Sequence, residues 1–115
     1  MSQTPIADAT ADPTQDPVLQ RFRDEARALY GDRLERLVLF GSRARGDARE
    51  DSDWDVAVFL RDLGNRWTEA GELAEITTEI LLETGVEINP VRLPAESYHE
   101  RTAFMREVRR EGRDL

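Results

Sequence analysis

Gly41, Ser42, Asp53 and Asp55 are the residues of this sequence whose types and spacing could do chemistry. They stand in "LFGSRARGDAREDSDWDVAVFL", residues 39–60, where an apolar run meets Gly-Ser, a polar loop follows, and two aspartates flank Trp54. Alternate residues of a strand share a face with Cα atoms roughly 6.5–7 Å apart, so the two carboxylates would lie side by side. Carboxylates that close repel, and one is driven towards its neutral form unless a cation lies between them. Hard oxygen donors without neighbouring His or Cys suit Mg2+ or Mn2+, ions usually shared with substrate phosphates. Gly41, directly after a strand, permits close approach of another backbone segment. Exposed N–H groups in the turn that follows, with the Ser42 hydroxyl, make an anion site. Blander readings also stand: "EDSD" suits a turn leading into a strand, and Gly-Ser a plain strand-ending turn.

The elements that must position these residues are legible in outline. Asp16-Pro17 gives a helix start, Val18, Phe22, Ala26 and Leu29 follow at helical spacing, and Gly31 stops the segment. "RLERLVLF" reads as the first strand, strongest at Leu37 to Phe40, and "DWDVAVFL" as the second. In that second strand Trp54, Val56, Val58 and Leu60 form one apolar face, while Asp53, Asp55, Ala57 and Phe59 take the other. Residues 65–84 make the clearest helix, with Asn65 as cap, a stripe of Trp67, Ala70, Leu73, Ile76 or Thr77, Ile80 and Leu81, and Gly85 at its end. "VEINPVRL" is a third strand, short or at an edge because Pro90 cannot donate to a ladder. Ser97 and Glu100 suggest a capping box before a last helix that buries Phe104, Met105 and Val108. The order α-β-β-α-β-α predicts an α/β (α+β) fold, a small mixed sheet with helices packed on one face. Residues 1–15, rich in Ala, Asp, Thr and Pro, are expected to be a disordered tail before one domain at 16–115.

Composition narrows the chemistry further. Acidic residues outnumber basic ones 24 to 16, and a net charge of −8 argues against direct nucleic-acid binding. Every basic residue is Arg, so no P-loop, Schiff-base or general-base lysine exists. Without Cys there is no disulfide, thiolate nucleophile or Cys metal site, and the lone His99, expected to be exposed, cannot build a His-rich one. No apolar run approaches the roughly 18 residues of a membrane span, and the start lacks signal-peptide character, so a cytoplasmic protein is expected.

The pattern Gly41-Ser42, ten intervening residues, Asp53-x-Asp55 resembles the signature of the DNA polymerase beta-like nucleotidyltransferase superfamily. "GSRARGDAREDSDWDVAVFL" is similar to its minimal nucleotidyltransferase (MNT) branch, and the resemblance extends over about residues 18 to 115, including "FMREVRREGRDL". It implies a polymerase beta palm-like fold in which Gly41 and Ser42 hold the β- and γ-phosphates of a nucleoside triphosphate. Asp53 and Asp55 would bind Mg2+, and a third carboxylate on a later strand would share the catalytic metal and help deprotonate the acceptor hydroxyl. Glu87 in "VEINPV" is the strand candidate for that role, where the family usually has Asp. The implied chemistry uses two ions: one activates the attacking oxygen, both stabilise the α-phosphorus transition state, and pyrophosphate leaves. Arg43 and Arg45 flank the turn and either contact phosphate or acceptor, or pair with Asp47, Glu50 or Asp51. Trp54 is expected to face the core. The basic last helix, with Arg101, Arg106, Arg109, Arg110 and Arg113, is a solvated face or a docking surface for an acidic partner.

Larger members of the superfamily carry extra domains for the acceptor, and this chain has no room for one, which favours a macromolecular acceptor. The minimal branch is similar to antitoxins that work beside HEPN-domain toxins, RNases neutralised by binding or by transfer of AMP to a tyrosine. The resemblance therefore implies an Mg2+-dependent nucleotidyltransferase moving AMP from ATP to a tyrosine hydroxyl of a HEPN-type toxin. Two alternatives accompany it: a binding-only antitoxin on an inactive nucleotidyltransferase fold, and a small-molecule nucleotidyltransferase completed by homodimerisation. Both a homodimer and a hetero-oligomer with the toxin are compatible with the sequence.

Overall fold

The computed structural model describes residues 12–64 and 66–115. Residues 1–11, where most of the expected tail falls, and Asn65, the expected cap, lie outside the described residues, as do the side chains of Arg66 and Trp67. The remainder of the tail, Pro13–Gln15, forms a 3-10 turn capped by the Asp12 carboxylate, which accepts from the Thr14 N–H at 2.9 Å.

Helix α1 (Pro17–Tyr30) starts as its sequence demands: the Asp16 carboxylate accepts from the N–H groups of Val18 and Leu19, and Pro17 occupies the first position. Its buried residues are Leu19, Phe22, Ala26 and Tyr30, so the core stripe is rotated slightly from the expected one, with Val18 and Leu29 at its margin. Strand β1 (Leu34–Phe40) follows, then the one-turn helix α2 (Ser42–Arg45) and strand β2 (Trp54–Leu60). Helix α3 (Arg66–Thr84), strand β3 (Ile88–Pro94), helix α4 (Ala103–Glu111) and strand β4 (Arg113–Asp114) complete the chain. The sheet order is β3-β2-β1-β4, with β1 antiparallel to β2 and β4, and β2 parallel to β3. Pro90 lies in β3, which takes an edge as a proline-bearing strand should.

The mixed sheet and its helices are those expected, but the helices are shared between its faces. Leu37, Leu39, Trp54, Val56, Val58, Leu60 and Ile88 pack against α1 and against Leu73 and Ile80 of α3. On the opposite face, Val38, Ala57 and Phe59 pack against Met105 and Val108 of α4. The apolar second face of β1 and β2 needs a cover of its own, so the expected one-sided arrangement holds only for α1 and α3. β2 is consequently buried on both faces from Val56 to Leu60.

The chain reaches that second face through a 3-10 turn at Ala95–His99, which sets Tyr98 edge-on against Phe59 at 5.4 Å between ring centres. Ser97 is buried within that turn, so the expected Ser97–Glu100 capping box does not form. Thr102 caps α4 instead, its hydroxyl accepting from the Met105 N–H at 3.1 Å. Met105 and Val108 are buried as expected, whereas Phe104 is 40% exposed and meets Phe40 edge-on. On α3, Leu81 is also partly exposed, at 40%. Among the described residues no helix is long and apolar enough to cross a membrane.

Candidate active site

The site grows from the junction of the two central strands. β1 ends at Phe40, whose register partner on β2 is Asp55. Gly41 then turns the chain with φ of +78°, a conformation that a side chain disfavours. Proximity adds a second reason: a Cβ on Gly41 would stand 2.7 Å from Oδ2 of Asp55. The glycine is there so that the turn and the carboxylate can touch.

α2 follows at once. The N–H groups of Ala44 and Arg45 donate to the Gly41 carbonyl, both at 3.1 Å, and those of Gly46 and Asp47 to the Ser42 carbonyl. The N–H groups of Ser42 and Arg43, at the start of this turn, have no acceptor within it, as first-turn amides do not. Those amides and the Ser42 hydroxyl are the donors a phosphate oxygen would meet.

Asp53 immediately precedes β2 and is exposed, while Asp55, the second residue of the strand, is half-buried. Alternation places Asp55 on the same face as Ala57 and Phe59, and Trp54 on the other. Oδ1 of Asp55 accepts from Nδ2 of Asn89 at 3.1 Å, and Asn89 is its register partner on β3. Asn89 was not among the residues singled out in the sequence. Its only signal there was being in phase with Glu87, and recognising it required the parallel register of β2 with β3.

Arg43 and Glu87 are the other two expected members. Arg43 turns back on the loop: Nε and Nη2 donate to the Ser52 carbonyl at 3.2 and 2.8 Å, and Nη2 to that of Glu50 at 3.1 Å. Its guanidinium also lies over the Trp54 ring, 4.7 Å from the centroid. Trp54 faces the α1 and α3 core, so Arg43 stands behind β2, away from the carboxylate face. Glu87 precedes β3 and is exposed; its carbonyl accepts from the Trp54 N–H at 2.9 Å. It lines a groove of about 190 Å³ with Arg43, Glu50, Ser52, Trp54 and Leu81. Among the described residues no three His, Asp or Glu side chains converge to hold a metal ion, so Asp53, Asp55 and Glu87 do not form the expected trio. Ile88 is the first β3 residue paired with β2, and Asn89 is level with Asp55.

Arg45 pairs with Asp47 at 3.2 Å and with Glu111 of α4 at 3.4 Å, tying the turn to that helix. The donors that Asp53 and Asp55 present are all oxygen, and the cradle at Gly41 keeps the space beside Asp55 clear of a side chain. Such a pair fits a hard divalent cation whose other positions are filled by phosphate and water.

Residues 28–115 match the family described as polymerase beta, nucleotidyltransferase. A Methanocaldococcus jannaschii protein, by name a protein adenylyltransferase, is 30% identical over 103 residues, covering 88% of this chain and 97% of its own. A solved structure described as a minimal nucleotidyltransferase aligns with a TM-score of 0.58 and 26% identity, covering 93% of this chain and 99% of that one. A chain from a toxin–antitoxin crystal structure with AMP-PNP shares the fold at a TM-score of 0.54 and 22% identity, covering 81% of this chain and 68% of its own.

Proposed function

The chain belongs to the polymerase beta nucleotidyltransferase family, in its minimal form, and from that premise we propose that it transfers AMP from ATP to a tyrosine hydroxyl of a HEPN-type toxin, as the antitoxin of the pair. The observation that carries this reading is the contact between Gly41 and Asp55, where a Cβ would meet Oδ2 at 2.7 Å. It sets the turn whose amides would take the phosphates directly beside a carboxylate, which supports a site for a metal-bound triphosphate.

In this reading the amides of Ser42 and Arg43 and the Ser42 hydroxyl orient the β- and γ-phosphates. Asp53 and Asp55 hold Mg2+, or Mn2+, one carboxylate exposed at the head of β2 and the other fixed by Asn89. When bound, the ion supplies charge neutralisation of the triphosphate and acidifies an attacking oxygen. A hydroxyl attacks the α-phosphorus and gives up its proton to solvent, the α–β anhydride bond breaks and pyrophosphate leaves. In this reading the acceptor hydroxyl comes from the partner. The fold shared with a toxin–antitoxin chain and the named activity of the M. jannaschii relative support a protein acceptor.

Incubation with Mg2+, α-labelled ATP and the protein encoded beside it, followed by mass measurement of that protein, tests the reading. Addition of AMP to a tyrosine is expected, and its loss in Asp53→Asn and Asp55→Asn. Neutralisation of the toxin with no mass gain would overturn transfer.

One observation favours a second reading, neutralisation by binding alone: Asp53, Asp55 and Glu87 do not converge into a three-carboxylate group. It requires the Asp53→Asn, Asp55→Asn double variant to neutralise the partner as well as the native chain does.

A further inference from the structure

We infer that Arg43 is a positioning residue that braces the Asp53 loop from behind β2, and that it does not bind the substrate's phosphates. Its effect on catalysis rests on the transferase reading above, but the brace itself does not.

The loop from Asp47 to Asp53 carries four carboxylates, at Asp47, Glu50, Asp51 and Asp53, and its only apolar residue is Ala48. Within it, the Ser52 N–H donates to the Arg49 carbonyl at 3.0 Å and the Arg49 N–H to the Ser52 hydroxyl at 2.8 Å. Those bonds close the loop on itself without fixing it to the sheet. Arg43 supplies the attachment: three hydrogen bonds reach the carbonyls of Glu50 and Ser52, and Ser52 immediately precedes Asp53. The planar guanidinium also rests on the Trp54 ring, so the residues on both sides of Asp53 are held by one side chain. A cation beside four carboxylates offsets their mutual repulsion as well.

Strand alternation keeps this brace off the phosphate face. Trp54 packs into the α1 and α3 core, and Asp55, one residue on, lies on the face of Ala57 and Phe59. A guanidinium stacked on Trp54 is therefore on the far side of β2 from the carboxylate that touches Gly41. The backbone N–H of Arg43 belongs to the phosphate turn, but its side chain serves the metal side of the site.

Arg43→Gln and Arg43→Lys test the assignment together. Lysine keeps the positive charge but has neither the fork that reaches two carbonyls nor the flat face that stacks on an indole. In a Trp67→Phe background, which leaves Trp54 as the one tryptophan, both variants should alter the emission of the metal-free protein. Both should also speed amide exchange across residues 49–53 by about tenfold while the β1 and β2 amides stay protected. In the transfer assay both should raise the Mg2+ concentration for half-maximal rate about tenfold, with KM for ATP at saturating Mg2+ within about twofold. Native-like behaviour of Arg43→Lys, with Arg43→Gln raising KM for ATP, would overturn the brace and make Arg43 a phosphate ligand. If Arg43→Gln does not fold, the lysine variant decides alone. A native chain that transfers nothing would break the transferase reading, and emission and exchange would still decide the brace.

Discussion

β2 and β3 begin side by side at one end of the sheet, and they treat their acidic residues in opposite ways. Asp55 is held on two sides, with Oδ1 taken by Asn89 and Oδ2 against the glycine turn. Glu87 stands one residue ahead of the β3 ladder, exposed, with only its backbone carbonyl engaged. The difference is register. Inside the ladder each residue's face is fixed by its neighbours, because a slip of one residue would turn every apolar side chain of β2 to the wrong face. Glu87 lies just before the paired residues of β3 and is one of the residues that line the groove with Arg43 and Trp54.

Removing charge at the fixed carboxylate should have the largest effect. Asp55→Asn keeps the shape beside Gly41 but removes the charge proposed to hold the metal, and should lower the rate of transfer on the order of a thousandfold with the melting temperature nearly unchanged. Asp53→Asn should act similarly on rate. A small effect at Asp55 would break the comparison, because its fixed geometry would then serve nothing catalytic.

Gly41→Ala should come next. It forces a side chain into φ of +78° and into contact with Asp55 Oδ2. The expected cost is about 1–3 kcal/mol of stability, measurable by urea unfolding, and about a hundredfold in rate as the carboxylate is displaced. Unlike Asp55→Asn, this change should move stability and activity together.

Asn89 tests the support behind Asp55. Asn89→Ala should raise the Mg2+ requirement about tenfold while leaving the rate at saturating Mg2+ close to native. Asn89→Asp sharpens the point: a carboxylate level with Asp55 should repel it without metal, so the variant should melt lower than native in EDTA and gain more from added Mg2+. Equal melting with and without Mg2+ would show that position 89 lies outside the metal's reach.

What could be read from the sequence follows the same division. β1, β2, α1 and α3 were legible because their apolar spacing matches one period over many residues, and the strand–turn–strand frame around Gly41-Ser42 and Asp53-x-Asp55 because the turn and the two strands have their own local patterns. β4 was not legible: Arg113 and Asp114 form a strand only by pairing with Leu39 and Val38, a contact of long sequence separation. Gly112 admits that approach, since a Cβ there would collide with Val38. The second face of the sheet was missed because Ala57 and Phe59 were read as the site's face, not as core needing a helix. The hydrogen bonds of Arg43 were not legible either: they depend on the path of the Asp47–Asp53 loop and on the face of Trp54, neither of which residue spacing encodes.

Glu87→Gln should have the smallest effect, and the most informative one for the edge. With Glu87 ahead of the paired residues of β3 and no three-carboxylate group among the described residues, the change should alter transfer by less than about threefold and leave the Mg2+ requirement unchanged. Loss of transfer on the scale of Asp55→Asn would mean that the segment ahead of β3 reorganises when nucleotide and metal bind, bringing the carboxylate round to the front of the sheet. Such a change draws on a weakly held segment, since Glu87 is anchored by one backbone bond to Trp54 and β3 is an edge strand. Hydrogen exchange at residues 85–88, with and without ATP and Mg2+, separates the two outcomes. Unchanged exchange goes with a spectator Glu87, and protection on binding goes with a third carboxylate assembled by its substrate.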